Sequence, residues 1–190
     1  MNLTVLPVTG HAGARPAPGE PQVMQTLGVE ARVKGQVLDR KNGIAYDTTM
    51  KRRIVIDTNV FVSALRSRRG ASFRLLMSLD SNKFNVSVSV PLVLEYEDAG
   101  KRLGRESGLT SRDVEDILDY VCSIADHREI HFLWRPILKD PKDDHVLELA
   151  VEASAEFIVT YNKRDFVGVE KFGIQIVTPK EFLQIIGELP

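Results

Sequence analysis

The pattern of apolar and polar residues becomes regular at about residue 50. From there, short β-branched runs alternate with longer segments in which apolar residues recur every three or four positions. Short runs of this kind are typical of strands, and the longer segments are typical of amphipathic helices. The predicted elements, in chain order, are strand 53–57, helix 60–66, helix 71–80, strand 84–88, helix 91–103, a helix beginning at 110–113, strand 131–134, helix 143–153, strand 156–160, strand 174–177 and a helix beginning at 178–181.

This alternation predicts the fold class. Residues 54–56 are apolar at every position, which indicates a strand buried on both faces, as in a parallel sheet. Parallel strands joined by helices place helical layers on the faces of the sheet. We therefore expect an α/β fold of three layers, α/β/α, with a central parallel sheet of four to five strands.

Residues 1–49 have a different composition. They hold four of the nine prolines and six of the thirteen glycines, and they contain no Phe or Trp. Such a segment buries too little apolar surface to offset its ordering entropy. We expect it to be largely disordered, with a weak hairpin of residues 29–37 and 44–46 around Asn42-Gly43. Met50 is either the true initiator or the start of a domain, 50–190, that follows a regulatory arm.

The cysteine count and the hydropathy of the sequence bear on where the protein is located, whereas its net charge says little about its partners. Cys122 is the only cysteine, so no intramolecular disulfide is possible, which fits a reducing cytosol. No secretory signal and no apolar run approaching the roughly 20 residues of a membrane helix are visible. We expect a cytoplasmic protein. The net charge of -1 does not indicate nucleic acid, so an RNA partner requires a local basic patch.

Acidic residues recur where predicted elements begin or end. Asp57 follows the first strand of the alternating region, and Glu95 falls about one turn into a helix that begins near Pro91. An Asp143-Asp144 pair opens a later helix, and Asp165 follows a late strand. If the strands are parallel neighbours, these acids converge at one edge of the sheet. Hard oxygen ligands in such numbers suit Mg²⁺ or Mn²⁺.

Several polar neighbours of these acids have two possible roles. Thr58 and Asn59 either orient Asp57 and the attacking water or cap the following helix. His145 is a candidate base or ligand, but a histidine on the helix surface is the favoured interpretation. The aromatic residues Phe132 and Trp134 are interpreted as core or interface residues rather than as a stacking platform.

Basic residues flank the first and the last acidic motif. They either rim an acidic pocket and contact RNA phosphates or form an ordinary solvated surface. The candidates are Arg66, Arg68, Arg69, Arg74, Lys163 and Arg164.

Four motifs in this order resemble those of the PIN-domain ribonucleases, in particular the toxins of VapC-like toxin–antitoxin pairs. The resemblance runs from about Met50 to the end of the chain. The motifs are Val55-Ile56-Asp57-Thr58-Asn59-Val60, Leu94-Glu95-Tyr96-Glu97, Asp140-Pro141-Lys142-Asp143-Asp144-His145-Val146-Leu147-Glu148-Leu149-Ala150 and Ile158-Val159-Thr160-Tyr161-Asn162-Lys163-Arg164-Asp165-Phe166.

The resemblance implies which acids hold the metal and act in catalysis. They are Asp57, Glu95, Asp144 and Asp165. Asn162 stands where many relatives carry an aspartate, so either Asn162 or Asp165 completes the metal site. Asp143 competes with Asp144. The spacing from this pair to Val159-Thr160 favours Asp144, which leaves Asp143 as a helix cap.

The resemblance also implies the reaction and the partners. It implies a Mg²⁺- or Mn²⁺-dependent endoribonuclease that leaves 5′-phosphate and 3′-hydroxyl ends, acts as a toxin, forms a homodimer and binds a small antitoxin encoded nearby. One alternative is a non-catalytic PIN-like module that binds RNA, and another is a nuclease that acts on DNA. A third is a phosphatase-like or phosphoacceptor domain. Against it, the first motif is Asp57-Thr58-Asn59 rather than Asp-x-Asp, and Lys180 lacks the acidic pair of a receiver domain.

Overall fold

The computed structural model describes residues 36–39, 44–47, 51–131 and 137–190. The chain divides into two units, Met1–Thr48 and Thr49–Pro190. In the first unit, strands β1 (Gln36–Asp39) and β2 (Ile44–Asp47) pair antiparallel, with Asp39 opposite Ile44. The hairpin was predicted here, although its turn lies outside the described residues. The prediction of disorder for residues 1–49 likewise falls mostly outside them.

The second unit contains the alternating elements. Its strands and helices are β3 (Arg52–Ile56), α1 (Thr58–Arg66), α2 (Ala71–Met77), β4 (Phe84–Val88), α3 (Val90–Ser107), α4 (Ser111–Ile124), β5 (Asp126–His127), α5 (Asp144–Glu152), β6 (Phe157–Val159), β7 (Gln175–Val177) and α6 (Pro179–Ile185). Two short 3₁₀ helices, Lys163–Phe166 and Val169–Phe172, lie between β6 and β7.

The five strands of this unit form one parallel sheet in the order β5-β4-β3-β6-β7. β3 lies at the centre, and its residues Ile54 and Val55 are fully buried. Burial on both faces explains why this run is apolar at every position. The predicted three-layer α/β/α fold with a parallel sheet is confirmed. Within the described residues, no helix combines the length and the apolar character needed to cross a membrane.

Two predicted elements differ most from the structure. Residues 131–134 were predicted as a strand, but the edge strand is Asp126–His127, and His131 lies in no strand. Residues 132–136 lie outside the described part of the chain. The chain pairs with the edge of β4 as soon as α4 ends, with Ser87 opposite Asp126. β5 therefore forms because this segment lies at the edge of the sheet, and not because its residues are apolar. α3 continues past residue 103 to Gly108, whose φ of 79° ends the helix in the left-handed conformation.

Tyr96 fixes α3 against the carboxyl end of β3. Its ring stacks on Phe61 of α1, with centroids 4.6 Å apart and an interplanar angle of 10°. Its hydroxyl donates a hydrogen bond to the Ile56 carbonyl, one residue before Asp57. A stacked aromatic pair contributes about 0.5–1.5 kcal/mol beyond its buried area. Glu95, the preceding residue on α3, is thereby held beside the end of the central strand.

Candidate active site

A pocket of about 430 Å³ lies at the carboxyl end of the central strand. This edge of an open α/β sheet is where ligands ordinarily bind. The pocket is lined by the residue that follows β3, by residues of α1 and α3, by the residue that precedes α5 and by the segment after β6. Its lining residues are Asp57, Thr58, Asn59, Val62, Ser63, Arg66, Glu95, Asp143 and Asn162.

Asp57 is the most enclosed carboxylate of this pocket, with 6% of its surface exposed. Its Oδ2 accepts hydrogen bonds from Asn59 Nδ2 at 2.6 Å and from the Thr160 hydroxyl at 2.5 Å. It is the first residue before α1, but its side chain makes no capping hydrogen bond. Burial raises the pKa of Asp57, and the bond from Thr160 offsets part of that rise. The carboxylate is therefore held in place without acting as a helix cap.

Thr160 is a site residue that the sequence reasoning missed. It is fully buried at the end of β6, next to β3 in the sheet. Besides donating to Asp57, its hydroxyl accepts hydrogen bonds from Asn59 Nδ2 at 3.0 Å and from the Asn162 N–H at 2.9 Å. A polar residue at the carboxyl end of an otherwise apolar strand was the available signal. One hydroxyl thus links the first motif to the last.

Asn59 completes this link, and capping is not its main role. Its Oδ1 accepts a hydrogen bond from the Tyr161 N–H at 3.1 Å, and its Nδ2 donates hydrogen bonds to Asp57 and Thr160. Thr58 is buried next to Glu95 and lowers the pKa of that carboxyl to a small extent. The predicted orienting residues Thr58 and Asn59 are both in the pocket, and Asn59 contacts Asp57 directly.

Glu95 is paired with His145. Glu95 Oε2 lies 2.8 Å from His145 Nε2, and His145 Nδ1 lies 2.7 Å from the Lys142 carbonyl. Both ring nitrogens face oxygen acceptors, so the doubly protonated ring satisfies both contacts. The hydrogen bond with His145 lowers the pKa of Glu95, against the partial burial that raises it. The predicted surface position of His145 is wrong, because only 11% of its side chain is exposed.

The acidic pair at the start of α5 is divided between two environments. Asp143 lines the pocket and makes no capping hydrogen bond. Burial, followed by the charges of Asp57, Asp140, Asp165 and Glu95, raises its pKa to about 6. Asp144 is 1% exposed, and its Oδ1 accepts hydrogen bonds from the N–H groups of Leu138 at 2.8 Å and Ile137 at 3.3 Å.

The geometry therefore favours Asp143 over Asp144 as the pocket acid. The prediction chose Asp144 from its spacing and made Asp143 the cap. In the structure, Asp144 holds the backbone that leads into α5, and Asp143 faces the other carboxylates. Adjacent residues at a helix start point in different directions, and sequence spacing alone does not say which one faces the sheet edge.

Asn162 and Asp165 lie on neighbouring pockets. Asn162 lines the acidic pocket, and it also lines a second pocket of about 550 Å³ together with Asp165. The Asp165 N–H donates to the Asn162 carbonyl at 3.0 Å, within the 3₁₀ turn after β6. Asp165 contributes to raising the pKa of Asp143, so its charge acts on the acidic pocket without lining it.

The basic residues that were predicted to contact RNA phosphates also lie at different pockets. Arg66 lines the acidic pocket at the end of α1 and is exposed, as are Arg68 and Arg69. Arg164 lines the second pocket. Lys163 Nζ lies 2.5 Å from Glu181 Oε2, so its charge is already paired. Of the predicted cations, Arg66 is the one that the structure brings to the acids.

The donor set of the pocket fits a hard divalent cation. Asp57, Glu95 and Asp143 supply carboxylate oxygens, and Asn162 supplies an amide oxygen. In the part of the chain that the structure describes, no three Asp, Glu, His or Cys side chains stand close enough to form a ready metal cluster. Burial and, after it, the charges of the neighbouring carboxylates raise the pKa of Asp143, and a cation bound between these acids would relieve their repulsion.

Comparison with protein-family models identifies the PIN domain over residues 53–164. This range contains three of the four motifs in full and most of the fourth, from Val55 to Arg164. Asp165 lies one residue beyond it. No curated protein matches the chain.

Proposed function

The chain belongs to the PIN-domain family, whose members are in general nucleases, and we propose that it is a divalent-metal-dependent endoribonuclease. One observation carries this proposal: Asp57, Glu95 and Asp143 line a single pocket with Arg66 at the carboxyl end of the central strand. Oxygen donors of this kind hold Mg²⁺ or Mn²⁺, and a cationic side chain beside them suits a phosphate.

The residues of the site have different roles in phosphodiester hydrolysis. Asp57, Glu95 and Asp143 would hold the cation, with Asn162 or Asp165 as a further ligand. A bound divalent cation supplies Lewis-acid activation of water and neutralises charge on the phosphate. Thr160 and Asn59 fix the Asp57 carboxylate through their hydrogen bonds to Oδ2. Arg66 offers its guanidinium to a phosphate oxygen.

His145 maintains the charge of Glu95. Because its two nitrogens face the Lys142 carbonyl and the Glu95 carboxylate, the ring holds Glu95 in one position. The lowered pKa keeps Glu95 ionised, as a ligand for a cation requires. A metal ligand supported in this way is better oriented than one on a free side chain.

Hydrolysis needs no covalent enzyme intermediate. The attacking water and the leaving oxygen lie in line through phosphorus, so one P–O bond forms as the other breaks. The family resemblance implies 5′-phosphate and 3′-hydroxyl ends. The same resemblance, to VapC-like toxins, supports a toxin role with a small antitoxin encoded nearby and a homodimeric assembly. Co-purification of the protein with the product of a neighbouring reading frame tests that role separately.

A second candidate function is a PIN-like module that binds RNA without cutting it. The observation in its favour is that the described carboxylates do not stand as a ready metal cluster. A receiver-like or phosphatase-like function has no comparable support.

Cleavage assays distinguish these functions. Single-stranded RNA and DNA pools are incubated with purified protein and either Mg²⁺, Mn²⁺ or a chelator, and the product ends are mapped. We expect cleavage of RNA with added metal, none with chelator, and ends bearing a 5′-phosphate. RNA binding without cleavage at any metal concentration would establish the binding module instead, and preferential cleavage of the DNA pool would change the substrate.

A further inference from the structure

An exposed aromatic residue, Tyr161, lines the second pocket. Tyr161 follows β6 directly, and 47% of its surface is exposed. Its N–H donates to Asn59 Oδ1 at 3.1 Å, and its hydroxyl is 2.8 Å from the hydroxyl of Ser72, a residue of α2 that is 1% exposed. The backbone and the hydroxyl of Tyr161 are therefore both held in place while a large part of the residue faces solvent.

The second pocket adjoins the acidic one at the residue that follows Tyr161. Asn162 lines both pockets, and Tyr161 lines the second. The charges of the second pocket are mixed, since Arg164 and Lys163 share it with Asp165, and Lys163 is already paired with Glu181. A volume of about 550 Å³ with an aromatic face and mixed charge suits a planar, neutral group better than a phosphate.

We propose that Tyr161 is a stacking platform for a nucleobase of single-stranded RNA, in the nucleotide next to the phosphate held at the acidic pocket. This inference rests on the proposed nuclease function. Every base presents a π-face, so a platform of this kind tolerates any sequence. Because Ser72 already fixes the Tyr161 hydroxyl and Asn59 fixes its backbone, little entropy is lost when a base stacks on the ring.

The position of the ring also fits the course of a strand. Arg66 lines the acidic pocket, and Arg164 lines the second pocket together with Tyr161. A strand that occupies both pockets therefore finds a cation for a phosphate in each one. Cations along the backbone and an aromatic ring under a base are the usual components of single-strand binding.

Fluorescence of 2-aminopurine tests the platform. A single-stranded RNA oligonucleotide carrying 2-aminopurine at one of several positions is titrated into the cleavage-impaired Asp57→Asn protein with Mg²⁺, since stacking quenches this base. We expect quenching at one position, retained by Tyr161→Phe and lost in Tyr161→Ala and Tyr161→Leu. Loss of the ring should weaken binding by roughly 5- to 150-fold, the range of one stacked base. Tyr120→Ala, at a similarly exposed tyrosine of α4, is the matched control and should change neither signal.

The outcomes separate this inference from the proposed function. Equal quenching and affinity in Tyr161→Ala and its parent would overturn the platform, and the nuclease function would stand if the unmodified protein still cleaves RNA. If the unmodified protein neither binds nor cleaves RNA, both are overturned. If Tyr161→Phe loses as much affinity as Tyr161→Ala, the hydroxyl bond to Ser72 and not the ring face carries binding, which also contradicts a stacking role.

Discussion

Asp143 and Asp144 are neighbours in sequence with different surroundings. Asp143 shares a pocket with the carboxylates of Asp57 and Glu95, whereas Asp144 is buried against backbone N–H groups. The helix dipole does not distinguish the two, because its positive end stabilises a carboxylate at either position. The three-dimensional direction of each side chain decides its role, and that direction depends on how α5 packs on the sheet.

We predict that Asp143→Asn stabilises the metal-free protein at pH 7.5 and does so to a smaller extent at pH 5. The raised pKa of about 6 means that the folded state binds a proton more readily than the unfolded chain does. The free-energy cost of keeping the Asp143 carboxylate ionised in the folded protein therefore begins as the pH rises above the ordinary pKa of 3.8. It is complete once the pH exceeds the folded pKa. Thermal unfolding with a chelator at both pH values measures it.

The matched control is Asp116→Asn, at an exposed aspartate of α4, which should leave the unfolding temperature unchanged at both pH values. A gain for Asp143→Asn of the same size at pH 5 as at pH 7.5 would contradict repulsion in the acidic pocket.

We predict that Thr160→Val impairs the use of magnesium while Thr160→Ser does not. Valine keeps the buried shape but removes the donor to Asp57 Oδ2 and the acceptor for Asn59 and Asn162. Loss of a group that orients a metal ligand typically costs about 10- to 100-fold in affinity or activity. Calorimetric titration of Mg²⁺ and the Mg²⁺ dependence of RNA cleavage measure the effect. Equal magnesium affinity in both variants would show that Thr160 serves only the fold.

Thr160 and Asp57 illustrate how far the sequence predicts the residues of the site. Asp57 was identified because a carboxylate after a buried strand needs a partner. The apolar pattern predicts Thr160 only as the last residue of strand 156–160, because its role depends on β6 lying beside β3. That neighbourhood is a property of strand order, which the apolar pattern does not specify.

At the scale of elements, α3 brings Glu95 to the pocket through packing by the adjacent residue. Tyr96 stacks on Phe61 and hydrogen-bonds to the Ile56 carbonyl. Burial and the nearby carboxylates Asp57 and Glu95 raise the pKa of Tyr96, so the hydroxyl remains a donor at ordinary pH. The helix that supplies one acid is thus attached to the strand that supplies another.

We predict that Tyr96→Phe lowers the free energy of unfolding by about 1 kcal/mol, the usual net contribution of one hydrogen bond. Phenylalanine keeps the stacking on Phe61 and loses only the bond to Ile56. Urea denaturation measures the change. Tyr120→Phe, at a partly exposed tyrosine of α4, should differ from the parent by much less, and an equal loss in both variants would show that Tyr96 does not attach α3 to β3.

Elements whose apolar residues recur with a clear period could be predicted from the sequence, and the edge strand β5 could not. β3, β4 and the long helices follow from apolar periodicity, because burial on one or both faces determines their residues. The edge strand β5 is two residues long and polar, and its pairing with β4 depends on where α4 ends. Short elements of this kind are set by tertiary contact.

At the scale of the whole molecule, the second unit contains the machinery of the site. The described core runs from Ile54 to Leu183, and the pocket residues lie between Asp57 and Asn162. The boundary of the units falls between Thr48 and Thr49. We propose that residues 50–190 form the nuclease domain and that residues 1–49 are either an arm or upstream of the true start.

We predict that a chain beginning at Met50 folds cooperatively and cleaves RNA at the rate of the full chain. The described core residues and the residues that line the acidic pocket all lie after Met50. Thermal unfolding and an RNA cleavage assay, run side by side on both chains, measure this. Loss of soluble, cooperative folding would show that residues 1–49 belong to the domain.

The central claim is that a metal-dependent nuclease site is built on Asp57 and Asp143. The most direct measurement is the initial rate of RNA cleavage against magnesium concentration for the unmodified protein, Asp57→Asn, Asp143→Asn and Asp144→Asn, each checked for folding by circular dichroism. We predict that Asp57→Asn and Asp143→Asn lose more than the ~100-fold caused by removing a group that only supports a metal ligand. Asp144→Asn should keep its magnesium dependence, because an amide oxygen still accepts from Leu138. Unchanged cleavage by folded Asp143→Asn, together with loss of cleavage by folded Asp144→Asn, would contradict this site.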